Sequence, residues 1–129
     1  MNSSKAQFNK EGYLILKNFF SKEILQEIYA DARQLFAVQI KRILGKTVNI
    51  DNTDEFEQAM FEFFEKDFNA FVNTGKQSQH LISMHRLGTD EKILSLLKGL
   101  GYEFPTIAVR PAMQFNSRHL SKEIGRAHV

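Results

Sequence analysis

From Ser21 onward the chain carries an apolar stripe that only a long helix with one covered face satisfies. Ile24, Leu25, Ile28, Ala32, Leu35, Phe36, Ile40 and Ile43 recur at three- and four-residue intervals. At 3.6 residues per turn these positions fall on one side. Ser21 stands where an N-cap belongs, Glu23 lies where the helix dipole favours a carboxylate, and Gly45 supplies a stop. A stripe of about five turns must be covered by other elements.

The material to cover it follows at once. After a polar connector, KTVNIDNTD, Asn52 and Glu55 are spaced as a capping box. The pattern then predicts a second amphipathic helix over 54–73. Phe56, Met60, Phe63, Phe64 and Phe71 form its main face, and Phe61, Phe68 and Val72 widen it. With twelve Phe, three Tyr and no Trp, the core is built largely from rings that need no hydrogen-bond partner. NTGKQS reads as a break, and a shorter helix is expected over 79–87. A further helix is capped by Thr89, buries Ile93, Leu94, Leu97 and Leu100, and stops at Gly101.

Two stretches read as strands. A short helix over 5–11 ends at Gly12, and YLILK over 13–17 follows as a buried strand, with Asn18 opening the exit turn. Near the other end, TIAVRPAMQFNS alternates. Arg110, Ala112, Gln114 and Asn116 share one face, while Val109, Pro111, Met113 and Phe115 share the other. A polar strand face most simply meets water. Inside a small barrel, the same face would hold a ligand carboxylate through Arg, Gln or Asn donors. Pro111 points to an edge or a bulge. The predicted content is thus mostly helical, α+β in class, with two strands that need further strands to pair with.

Composition removes several function classes. With 43% hydrophobic and 25% charged residues, a packed core is expected rather than global disorder. A net charge of +2 with scattered Lys and Arg argues against nucleic acid. The absence of cysteine excludes disulfides and thiolate metal sites and fits a reducing compartment. The first residues hold no apolar signal region, and no apolar run approaches ~18 residues, so no membrane association and a cytoplasmic location are expected. No phosphate loop, nucleophile elbow or zinc-protease helix is written in the chain.

The four histidines do not compose a site. His80 and His85 are five apart, which on one helix turns them to different faces. His119 has no carboxylate two residues away, and no residue stands two positions beyond His128. The acids of DEFEQAMFEFFEKDF alternate with Phe as on a helix with one wet and one covered face.

FNKEGYLILKNFFSKEILQEI resembles the opening of the phytanoyl-CoA dioxygenase family, the Fe(II)- and 2-oxoglutarate-dependent oxygenases. RPAMQFNSRHLSKE is similar to the strand that leads toward the iron motif in some bacterial members. The resemblance implies a double-stranded β-helix, or jelly roll, with helices packed outside it. It further implies iron held by His-x-Asp and a distant His, with 2-oxoglutarate held partly by the strand before that motif. Gln114 and Asn116 are the positions it makes candidates for the 2-oxoglutarate contacts. No His-x-Asp occurs in the chain. The expectation is therefore an N-terminal fragment, inactive by itself and with no cofactor bound, of an enzyme that hydroxylates a small organic substrate. Residues 1–123 would belong to one oxygenase domain. IGRAHV at 124–129 equals one reading frame of a common sequencing adapter, so it is expected to be a non-native tail. The alternative is a non-enzymatic helical domain that binds another protein through its Phe-rich helix.

Overall fold

The computed structural model describes residues 2–106. All its regular elements in that range are helices: α1 (Asn2–Glu11), α2 (Lys22–Leu44), α3 (Thr53–Lys66), α4 (Phe68–Ser78), α5 (Ile82–Gly88) and α6 (Glu91–Gly99). The mostly helical character expected from the sequence is present. The strand expected over 106–117, with Gln114 and Asn116, lies outside the described residues apart from Thr106.

The stripe on α2 organises the rest. Ser21 caps the helix by accepting a hydrogen bond from the Ile24 amide at 3.3 Å, as its residue type predicts. At the other end Gly45 takes φ 73°, and its amide donates to the Lys41 carbonyl at 2.9 Å. That left-handed stop is open to glycine at no steric cost. Between the caps run 23 residues, about 34 Å of helix, with Ile28, Ala32, Phe36 and Ile40 buried along one line. Helices α3, α4 and α5 all pack on α2, and α3 also packs on α4.

Phenylalanine rings lock these helices together. Phe36, Phe63 and Phe71, one from each of α2, α3 and α4, form a triangle. Its centroid separations are 6.4 Å for Phe36–Phe63 and 5.7 Å for each of the other two pairs. Edge-to-face and tilted geometries of this kind place the positive ring edge against the negative face. Phe64 extends the cluster to Phe71 and Phe68, both edge-on. Ile40, Val48, Phe56, Ala59 and Met60 complete the core.

The connector from α2 to α3 is held by polar contacts suited to a short crossing. Arg33 donates to the Ile50 carbonyl at 3.2 Å and lies 5.8 Å above the Phe56 ring. Asn52 accepts from the Glu55 amide at 3.1 Å, which is half of the expected capping box. The reciprocal bond differs: the Glu55 carboxylate accepts from the Asn49 amide, because the Asn52 amide is already spent on the Asn49 carbonyl.

Five expectations are corrected. The helix expected over 54–73 is two helices, divided at Asp67, whose backbone leaves the helical region (φ −150°, ψ 85°). The Asp67 side chain accepts from the Ala70 amide at 3.0 Å, so it caps α4 while its own amide closes α3 on Phe63. In an unbroken helix Phe63 and Phe71 would stand about 12 Å apart along the axis; the break brings their rings to 5.7 Å. The expected break at NTGKQS is helical instead. Thr74 and Ser78 satisfy their hydroxyls on the Ala70 and Gly75 carbonyls, so neither competes with the helix.

Thr89 does not cap α6. Its hydroxyl donates to the His85 carbonyl at the end of α5, and Asp90 caps α6 by accepting from the Lys92 amide at 2.8 Å. The face of α6 is also less covered than expected, since none of its residues is buried. Finally, 13–17 forms no strand. Gly12 (φ 79°) ends α1 and Asn18 (φ 56°) turns the chain, as expected, but residues 13–16 between them have no regular secondary structure and Lys17 already belongs to the turn. Strand geometry requires a neighbouring strand.

Two outcomes test this packing. Phe63→Ala, at a fully buried site, is expected to cost about 3–5 kcal/mol in urea unfolding. Asp67→Ala removes a cap from a half-buried joint and is expected to cost about 1 kcal/mol, with a loss of helical circular dichroism.

Candidate functional site

Three places on the described surface gather polar or titratable groups. The first is the wet face of α3. There Glu62 is bound by the Lys46 ammonium, and both side chains remain largely exposed. That hydrogen bond from Lys46 holds the Glu62 carboxyl below its ordinary value. Slight desolvation opposes it, while the Lys46 charge and a bond from Gln58 act the same way as the hydrogen bond. The pair tethers the end of α2 to α3. A carboxylate held ionised by a lysine serves poorly as a general acid.

The second place is an open groove of about 390 Å³ between α2 and α4, lined by Gln39, Arg42, Asp67, Asn73, Thr74 and Gln77 among others. Much of its chemistry is committed internally. Arg42 donates to the Gln39 amide oxygen at 2.8 Å, Asp67 is the α4 cap, and the Thr74 hydroxyl is bound to the backbone.

The third is the turn between α4 and α5. The sequence spacing assigns His80 and His85 to different helix faces, but His80 is not on a helix. It occupies the turn before Ile82, which folds its ring back to 6.0 Å from that of His85, with the two planes inclined by 30°. No spacing in the sequence reveals this: α4 ends at Ser78, and the amides of Gln79, His80 and Leu81 close the turn on the carbonyls of Lys76, Gln77 and Ser78.

The sites implied by the resemblance do not fall in this region. Gln114, Asn116, His119 and His128 lie outside the described residues. Among the described residues no group of three or more His, Cys, Asp or Glu side chains converges on a metal position. None of the described helices is long and apolar enough to cross a membrane. Compared with known proteins, the chain matches no family, no curated protein and no solved structure.

The Lys46–Glu62 pair has a definite pH signature. Because folding depresses the Glu62 value, its contribution is present above the unfolded value and is lost as pH falls through the folded one. Glu62→Gln is expected to lose at most about 1 kcal/mol at neutral pH. In acid the two proteins should share a urea midpoint.

Proposed function

We propose that this chain is the helical N-terminal portion of a cytoplasmic Fe(II)- and 2-oxoglutarate-dependent dioxygenase of the phytanoyl-CoA dioxygenase type, acting on a small organic substrate. The observation that carries the reading is the segment between Gly12 and Asn18. Tyr13 and Ile15 are 55% and 71% exposed, and Leu16 is exposed beside them. An exposed apolar stretch that belongs to no helix is free to pair with a sheet edge, and in the resembled family the same place holds an aliphatic strand. The sequence order around it agrees: Gly12 stops a helix, Asn18 turns the chain, and Ser21 caps the long helix.

The residues of this chain do not compose the iron centre such an enzyme uses. No His-x-Asp is present in the sequence, and no cluster of three metal-ligating side chains occurs among the described residues. In this proposal the chain's role is architectural. Its Phe-locked helices would pack outside the barrel and present the 13–16 segment to it, while Gln114 and Asn116 would contact 2-oxoglutarate.

The test is the coding sequence downstream of codon 122 and the activity of the protein it specifies. The expected result is a His-x-Asp motif soon after Lys122, and a full-length protein that forms succinate from 2-oxoglutarate only with Fe(II). A natural stop directly after Val129 would overturn the reading. This chain alone is expected to bind Fe(II) no better than an unrelated soluble protein. Stoichiometric micromolar Fe(II) binding, lost in His119→Ala, would contradict that. A chain that stays monomeric in size-exclusion experiments would favour the helical interaction domain, since uncovered strand edges promote association.

A further inference from the structure

The turn joining α4 to α5 is braced more firmly than an exposed connection requires. The amides of Gln79, His80 and Leu81 donate to the carbonyls of Lys76, Gln77 and Ser78 at 3.2, 3.0 and 3.3 Å, and the His85 amide donates to Leu81 at 3.1 Å. Ser78 is buried on one side of the turn and Ser83 and Met84 on the other. Both histidine backbones therefore stand on anchored supports, while both rings reach solvent.

From this arrangement we propose that His80 and His85 form a two-imidazole site for a divalent transition ion, with Cu(II) the preferred occupant. Metal–nitrogen bonds of about 2.0–2.1 Å put each ring centroid about 3.2 Å from a shared ion, so two rings on one ion can lie no more than about 6.4 Å apart. The observed separation of 6.0 Å is within that limit. Opposite positions on a tetragonal ion need about 6.4 Å and adjacent ones about 4.5 Å, so the observed spacing is near the opposite arrangement. A small change in the first side-chain torsion of these exposed rings closes the difference, and the broad terminal torsion aims the ring nitrogens.

Two neutral nitrogens with water in the remaining positions suit the tetragonal N,O preference of Cu(II), which also stands highest in affinity among the divalent first-row ions. Fe(II) stands far lower in that order, so the site is separate from the iron chemistry proposed above and does not rest on it. The adjacent Arg86 guanidinium would oppose a cation, but it lies 3.7 Å from the Glu27 carboxylate, which offsets its charge. Pre-anchoring lowers the ordering cost of chelation.

The experiment is calorimetric titration of the chain with Cu(II) at mildly alkaline pH, in a weakly competing buffer, alongside electron paramagnetic resonance of the loaded protein. One Cu(II) per chain with micromolar affinity and a two-nitrogen hyperfine pattern is expected. His80→Gln and His85→Gln should each weaken binding at least tenfold while leaving the helical circular dichroism unchanged. A variant with both His119 and His128 changed to Gln should bind as the original does. Absence of stoichiometric binding, binding that survives in either His80→Gln or His85→Gln, or binding lost with His119 and His128 would each overturn the proposal.

Discussion

The fold depends on the meeting of three phenylalanine rings from three helices. Phe36 of α2, Phe63 of α3 and Phe71 of α4 touch in a closed triangle, and each ring is buried. Remove any one and its helix loses its ring contacts with the other two. Aromatic pairs contribute beyond simple area burial, since edge and face carry opposite partial charge. The triangle can close only because the backbone changes direction at Asp67 between Phe63 and Phe71. The cap at Asp67 is thus a small polar interaction on which a large apolar one relies.

Away from the triangle the packing thins. Helix α6 buries no residue, and its tie to the earlier chain is largely polar. Lys92 donates to the Phe19 carbonyl at 3.0 Å and lies 5.9 Å from the Phe19 ring. Tyr13, Ile15, Ile82 and Phe104 remain exposed although they are apolar. Scattered apolar side chains on a surface are ordinary. A non-helical segment carrying several of them is less so, which is why the 13–16 stretch bears the functional proposal while the well-packed bundle does not. The half of the chain with the strongest core has the least to say about chemistry, because its polar groups are occupied with caps and helix ties.

The helix inventory was legible because local rules dominate it. Ser21, Gly12 and Gly45 act as their residue types require, and the middle of the α2 stripe, Ile28, Ala32, Phe36 and Ile40, is buried as its period predicts, while Leu25 near its start is exposed. The errors share one cause. Periodicity alone carried a single helix through Asp67, because an aspartate is tolerated mid-helix and nothing local marks it as a cap until Ala70 turns back to it. Thr89 and Asp90 are both good caps, and only the competing pull of the His85 carbonyl assigns Thr89 to the helix before it. NTGKQS contains residues that favour breaks, yet packing of Phe71, Thr74 and Ser78 against the bundle outweighs their weak preference.

The sequence by itself determined where helices begin and end around α2, that the core would be aromatic, and that no His-x-Asp iron motif is written in the chain. Those are properties of neighbours a few residues apart, and short-range chemistry reads them directly. Tertiary structure alone decided that 54–73 bends at Asp67, that 13–16 has no strand partner among the described residues, and that His80 and His85 stand ring to ring. Each depends on what lies across the fold: a third helix to receive Phe71, another strand for an extended segment to join, or a turn that brings a non-helical residue back beside a helical one. Such contacts have no fixed spacing along the chain, so no periodicity encodes them.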